Sequence, residues 1–247
     1  MEDKYLSSRL ADLARTSDNR DIFTFSDFLS PSDAALARGA AGRVPYAMWG
    51  GMDGCERVVV RFGDESRIGY TADYPIRVIR ISPQNRKFSD DLTHRDFLGA
   101  LMHLGFERSM IGDILIRENT AWVFALEKIA PIIADELTSV KHTSVVCELA
   151  DGVPEEAALK REKERLNIPS VRLDAMIARL YHLARGKARD LFASQLVFVN
   201  GEVCMHESLQ PKAGDVISVR GYGKFIFTGV EGETKKGRIV ALAEVYK

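Results

Sequence analysis

Ser170-Val171-Arg172-Leu173-Asp174-Ala175-Met176-Ile177-Ala178-Arg179-Leu180, followed by Arg185-Gly186-Lys187-Ala188-Arg189-Asp190-Leu191-Phe192 and Val197-Phe198-Val199-Asn200-Gly201, is the stretch that decides how this chain folds. Leu173, Met176, Ile177 and Leu180 recur at three- and four-residue spacing, one face of an α-helix. Ala188, Leu191 and Phe192 repeat that spacing and predict a second short helix from Arg185 to about Gln195. The composition then turns β-branched and aromatic at Val197–Val199 and meets Asn200-Gly201. That pair tolerates positive φ at both central positions of a type I′ hairpin. Gly214-Asp215 predicts a tight turn into the strand Val216–Val219. Arg220-Gly221-Tyr222-Gly223-Lys224-Phe225 then leads into a long hairpin ending at Val245. Two helices beside an antiparallel hairpin array make residues 170–247 an α+β domain.

Upstream, residues 151–169 form a charged connector, Asp-Gly-Val-Pro followed by the run Glu155 to Arg165, read as a linker with room for one short solvated helix. Residues 75–150 give the order βαββαβ: strand Ile76–Ile81 ended by Ser82-Pro83, a helix capped at Thr93, strands Ile111–Ile116 and Ala121–Leu126, a helix over Lys128–Val140, and strand Ser144–Leu149. That succession is the ferredoxin-like split βαβ, shared by RNA-recognition modules and many unrelated proteins. Its central strands offer only Trp122 and Phe124 for base stacking, and core packing explains both better. Residues 1–74 read as a mixed domain. Tyr5, Leu6, Leu10, Leu13 and Ala14 place a helix over 3–15, a second helix starts at Ser30-Pro31-Ser32-Asp33 and stops at Gly39 or Gly42, and Val58–Phe62 is a strand. The expected class is α+β and multi-domain.

The 247 residues hold 34 Lys+Arg and 35 Asp+Glu, a net charge of −1. From Ser170 onward 12 basic residues face 8 acidic ones, +4, which leaves −5 for the rest. A polyanion therefore prefers the C-terminal part. No apolar run approaches the roughly 18 residues a membrane helix needs, and the polar start Met1-Glu2-Asp3-Lys4-Tyr5 lacks a secretory core. Cys55, Cys147 and Cys204 form no CxxC pair and fit a reducing cytoplasm. The five histidines lack paired metal spacing, so neither metal nor cofactor is expected.

The candidate RNA-binding residues are Arg172, Arg185, Lys187, Arg189, Asn200, Arg220, Tyr222 and Lys224. The first four gather at two helix starts, where open amides and the helix dipole also favour phosphate. Guanidinium adds planar hydrogen bonding and base stacking. Asn200 and the Gly221/Gly223 pair permit close backbone approach, while Tyr222 fits equally a stacking residue and a plain hairpin aromatic. Asp174 reads as a structural partner of arginine or a helix-start acid. His94 and Asp96 are the sole candidates for chemistry, and helix capping explains them better.

Arg172-Leu173-Asp174, Ala184-Arg185 with Ala188 and Leu191-Phe192, Val197-Phe198-Val199-Asn200-Gly201, Gly214-Asp215 and Arg220-Gly221 together resemble the S4 RNA-binding domain. Ala184 and Gln195 depart from its usual Ser and Gly. Phe28-Leu29-Ser30-Pro31, Trp49-Gly50-Gly51 with Glu56-Arg57, Thr93-His94-Arg95-Asp96-Phe97-Leu98-Gly99-Ala100-Leu101 and Ile111-Gly112-Asp113-Ile114 extend the likeness over most of the chain to the YlmH family. That resemblance implies a cytoplasmic, non-catalytic factor of ribosome-associated quality control. It implies binding to the large ribosomal subunit through ribosomal RNA and peptidyl-tRNA, with no membrane and no small-molecule substrate.

Two other classes compete. An S4-guided RNA-modifying enzyme, a pseudouridine synthase or methyltransferase, requires a catalytic domain. Too few residues follow Arg172-Leu173-Asp174 for the former, and no strand-linked Gly-x-Gly-x-x-Gly marks the latter. Nucleotide-binding signatures of a tyrosyl-tRNA synthetase are absent. A protein-interaction adaptor whose module has lost RNA predicts binding indifferent to salt.

Overall fold

The computed structural model describes residues 2–246, and the chain divides into two compact units, Met1–Ala158 and Leu159–Lys247. The first unit opens with α1 (Glu2–Arg20), β1 (Thr24–Phe25), α2 (Pro31–Ala41), β2 (Tyr46–Trp49), β3 (Val59–Phe62) and the single turn α3 (Glu65–Ile68). Helix α1 runs past the predicted 3–15 because the apolar stripe of Leu10 and Ala14 continues to buried Ser17, whose hydroxyl donates to the Ile22 carbonyl at 2.6 Å. Tyr5, placed on that stripe by spacing, stands 72% exposed. Helix α2 begins as its sequence dictates: Ser30 and Asp33 form a reciprocal capping box, and Gly42, at φ +59, ends it. The three strands form an antiparallel sheet in the order β1-β3-β2.

The same unit continues with β4 (Ile76–Pro83), α4 (His94–His103), β5 (Ile111–Arg117), β6 (Thr120–Leu126), α5 (Ala130–Glu136), β7 (Ser139–Val140) and β8 (Thr143–Ala150). The sheet order is β5-β6-β4-β8-β7, antiparallel throughout. Helix α5 is shorter than the predicted 128–140. Leu137 turns extended, and Ser139-Val140 pairs back on Thr143-Ser144 around Lys141 at φ +56, so a hairpin replaces the last helical turn. Ile79, Ile81, Phe97, Leu101, Val123 and Ile133 form one core together with Phe28, Cys55 and Val59 from the first 74 residues. Segment 1–74 thus lends three buried residues to the core of 75–150, while Leu10, Ala14, Ala37, Val60 and Phe62 belong to a cluster of its own.

On the sheet face of Val78 and its cross-strand partner Phe124, the N-terminal segment lies close. A Cβ at Gly51 would meet Phe124 at 2.3 Å, and one at Gly112 would meet Phe28 at 2.7 Å. Phe124 is fully buried and Trp122 is 8% exposed, so neither offers a face to a nucleobase.

The second unit comprises β9 (Arg161–Ile168), α6 (Leu173–Leu180), α7 (Arg185–Ala193), β10 (Val197–Val199), β11 (Glu202–Val203), β12 (Val216–Val219), β13 (Gly223–Glu233) and β14 (Ile239–Tyr246). Its six strands follow the order β11-β10-β12-β13-β14-β9. Asn200 at φ +51 and Gly201 at φ +85 make the expected two-residue hairpin between β10 and β11. Strand β9 corrects the 151–169 linker: residues 161–168 pair in full register with β14. Its charges mark a sheet edge, where Arg161 pairs with Glu244 and Arg165 with Glu231, while Leu166 and Ile168 turn inward. Leu173, Met176, Ile177, Leu191 and Phe192 pack on Val197, Ile217, Val219 and Phe225 to form the core. Among the described residues no helix is long and apolar enough to cross a membrane, and no group of three His, Cys, Asp or Glu is placed to hold a metal.

Candidate nucleic-acid interface

The centre of the second unit's polar surface is a buried carboxylate. Asp174, in the first turn of α6, is fully buried. The Arg172 guanidinium donates to both its oxygens, Nε to Oδ1 at 3.0 Å and Nη2 to Oδ2 at 3.1 Å. Arg185, the first residue of α7, and Arg189, one turn later, bring their Nε atoms to 3.9 Å from the same Oδ2. Glu207 adds a second carboxylate: its Oε1 lies 3.3 Å from Arg189 Nε and 3.7 Å from Arg172 Nη2. Three guanidiniums thus face two carboxylates, a local excess of one positive charge. The outer edges of Arg185 and Arg189, both half exposed, remain open for bidentate contact with a phosphate.

The two helix starts differ. At α6 the Leu173 amide donates to the Leu209 carbonyl at 3.0 Å and the Asp174 amide to the Glu207 carbonyl at 3.1 Å, so those donors are consumed. At α7, which has no side-chain cap, the amides of Arg185, Gly186 and Lys187 have no partner among the described residues. The start of α7 therefore presents the expected open amides more fully than that of α6. Lys187 is exposed beside them, with no carboxylate partner among the described residues.

The remaining sequence candidates lie outside this cluster's contacts. Asn200 is spent on its turn: its Nδ2 donates to Asp215 Oδ1 and its Oδ1 accepts from the Val216 amide, both at 2.9 Å. The Arg220 guanidinium stacks 5.3 Å from the Phe198 ring centroid, and the Lys224 ammonium lies 5.3 Å from that of Tyr246. Tyr222 is 37% exposed with its ring 5.6 Å from Tyr181. Sequence reading missed Glu207, which no local pattern announces. It also missed the tip of the β13–β14 hairpin, where Lys235, Lys236 and Arg238 are exposed and unpaired among the described residues. Thr234 shapes that tip, its amide donating to the Arg238 carbonyl at 2.7 Å and its Oγ1 accepting from the Arg238 amide at 3.1 Å. The run Thr234-Lys235-Lys236-Gly237-Arg238 was a visible signal for it.

In the first unit, Asp96, one of the two candidates for chemistry, has a structural duty. Asp96 accepts from the Thr93 amide and hydroxyl at 2.8 and 2.7 Å, which, with Lys141 nearby, holds its carboxyl below the ordinary range. Burial, then the neighbouring Arg108, push His94 down toward the neutral imidazole. Arg57 donates to the Ile111 and Phe28 carbonyls, both at 3.0 Å, while Asp113 accepts from the Glu56 and Arg57 amides. Burial and Arg57 lower Arg108 to about 10. These contacts clamp the N-terminal segment onto β5 and make no open catalytic arrangement.

Residues 70–152 match the family described as "Putative RNA-binding domain in YlmH". The chain is also 30% identical over 219 residues to the "Ribosome-associated protein quality control protein P2" of Bacillus subtilis (strain 168), covering 86% of this chain and 83% of that protein. The chain belongs to the YlmH family. A solved structure, the "Cell division protein ylmH from Streptococcus pneumoniae", is similar at a TM-score of 0.50 and 21% identity, covering 61% of this chain and 92% of that one. That likeness speaks to YlmH fold alone. The α+β class expected from sequence agrees with it.

Proposed function

We propose that this YlmH-family chain is a non-catalytic RNA-binding protein of ribosome-associated quality control. In this reading its second unit is an S4-type domain that grips RNA phosphates, and residues 75–150 are a ferredoxin-like domain. The observation that carries the reading is the convergence of Arg172, Arg185 and Arg189 on the buried carboxylate of Asp174. A guanidinium held in place loses less freedom on meeting a phosphate than one that is free to move. Charge supports it: residues 159–247 hold 16 Lys+Arg and 10 Asp+Glu, net +6, against −7 for residues 1–158. The family described for residues 70–152 and the name of the Bacillus subtilis relative point to RNA and the ribosome rather than to catalysis. The address proposed is the large ribosomal subunit, with contacts to ribosomal RNA and peptidyl-tRNA, in the cytoplasm. Lys187, beside the open amides of α7, and Arg220, Tyr222 and Lys224, outside the cluster, are further proposed contacts, and Asn200 serves by shaping its hairpin.

The test is Arg185→Glu, measured by co-sedimentation with large subunits and by binding to purified RNA across a salt series. Charge reversal is expected to weaken both, and wild-type affinity to fall steeply with salt. Unchanged co-sedimentation, or affinity flat with salt, would refute the reading and favour an adaptor. Uridine conversion or methyl transfer by the purified protein would overturn the non-catalytic claim.

A further inference from the structure

We infer that the Glu207 carboxylate sits in the seat of an RNA phosphate and competes with it, an inference that rests on the RNA-binding reading above. The two acids of the cluster are not equivalent. Asp174 is fully buried and bound through both oxygens to Arg172, so it belongs to the framework. Glu207 is 39% exposed and presents one oxygen, Oε1, to two guanidiniums, at 3.3 Å from Arg189 and 3.7 Å from Arg172. An anionic oxygen shared between two arginines is the position a phosphate oxygen takes at such a site.

The backbone and the side chain of Glu207 also have separable duties. Its carbonyl accepts from the Asp174 amide, and the Leu209 carbonyl accepts from that of Leu173, which pins the segment onto the start of α6. The carboxylate hangs from that fixed point on rotatable bonds and can swing out to water without disturbing the fold. With Glu207 in place, three guanidiniums face two acids, and an arriving phosphate meets a like charge at its own seat. With Glu207 displaced, the same three guanidiniums face only Asp174 and the phosphate. A lone anion gains little by that exchange, whereas an RNA gains its other contacts as well. The carboxylate therefore selects extended RNA over isolated phosphate and keeps the affinity for any single strand segment moderate.

The test compares full-length wild type with Glu207→Gln, which preserves shape and the backbone bond. Binding is read by fluorescence anisotropy of a labelled RNA stem-loop. Because a half-exposed ion pair is weak, the expected gain is about two- to fivefold tighter binding. Glu231→Gln, which removes the same charge from the partner of Arg165, is expected to leave affinity unchanged. The Arg189 Nε–H resonance is expected to move both on Glu207→Gln and on adding RNA to wild type. Glu207→Asp, which keeps the charge but retracts it, falls between and guards against a folding artefact of the first variant. Equal or weaker binding by Glu207→Gln, with hydrogen exchange of α6 intact, overturns the inference and leaves Glu207 a mere brace for Arg189. If Arg185→Glu weakens binding while Glu207→Gln brings no gain, only this inference falls. If wild type fails to bind RNA and Arg185→Glu is silent too, the RNA-binding reading falls with it.

Discussion

Asp174→Asn is the perturbation that weighs most directly on how the arginine cluster is built. The carboxylate is fully buried and receives two charge-assisted bonds from Arg172 at 3.0 and 3.1 Å. Asparagine retains one acceptor but turns an NH2 toward guanidinium donors, so at least one bond becomes a donor–donor clash. Removing one partner of a buried pair costs about 3–5 kcal/mol. Arg172 is 30% exposed and can turn partly to water, which puts the expected cost at the lower end, about 3 kcal/mol. Arg185 and Arg189 sit at 3.9 Å and are half exposed, so each contributes at most about 1 kcal/mol through Asp174. Both tryptophans, Trp49 and Trp122, lie in the first unit, so their fluorescence does not report this one. The assay is hydrogen exchange at the Met176 and Ile177 amides of the full chain. A loss of about 3 kcal/mol accelerates exchange through global opening on the order of a hundredfold. A double-mutant cycle is expected to give a coupling of about 1.5–3 kcal/mol between Arg172 and Asp174, and clearly less for Arg185 with Asp174. Equal couplings, or an Asp174→Asn cost below about 1 kcal/mol, would refute the view that Asp174 anchors Arg172 and merely orients the other two.

Gly112→Ala places a methyl group 2.7 Å from the Phe28 ring and 3.0 Å from Phe124 Cβ. It is expected to destabilise the first unit by about 1–3 kcal/mol through overpacking, read as a lower urea midpoint in tryptophan fluorescence; an unchanged midpoint would show that the N-terminal segment yields. The depressed Asp96 carboxyl contributes stability that is present above the unfolded value, about 3.9, and lost as pH falls through its lower folded value. Wild type should therefore exceed Asp96→Asn in urea resistance at neutral pH and converge with it in strong acid, and a constant gap would contradict the assignment. Replacing Lys235, Lys236 and Arg238 by alanine should leave hydrogen exchange unaltered while flattening the salt dependence of RNA binding by up to about two units of slope. An unchanged slope would remove the hairpin tip from the interface.

Elements were legible in the sequence where one residue type answers one backbone demand. Asn200-Gly201 required two positive φ values and has them. Ser30 and Asp33 spell a capping box and form it. Strand β9 was hidden because an edge strand's exposed side is charged, and Arg161 to Arg165 resembles a solvated linker until its partner β14 is known. The end of α5 is not legible because Leu137 and Val140 keep a helical spacing, although Leu137 is already extended and Val140 pairs in a hairpin. At the site, Arg172, Arg185 and Arg189 were visible as a basic set close in sequence. Glu207 was not, since its role arises from a loop returning across the start of α6. Asn200, Arg220 and Lys224 stand out by residue type, and type does not reveal that a side chain already has an intramolecular partner.

The segment that matches an RNA-binding family, residues 70–152, does not coincide with the unit that carries the positive charge. An open sheet of the RNA-recognition kind stacks bases on aromatic residues of its central strands. Here those positions hold Trp122 and Phe124, and both are buried, with Gly51 closing over Phe124. A cleft of about 710 Å3 at the end of this sheet is lined by Asp73, Glu127 and Asp151 against Arg77, and Glu127 already pairs with Arg77. That lining repels phosphate. In the proposed reading, contacts made at this cleft are polar or shape-dependent, and counterion release comes mainly from the second unit. The salt slope of binding should consequently respond to Arg185, Arg189 and the hairpin tip and stay nearly constant when charges of residues 70–152 are altered. Trp122 emission should also be unmoved by bound RNA. A blue shift or quenching assigned to Trp122 would mean that the N-terminal segment lifts from the sheet, and that the covered face is the resting state of a stacking surface.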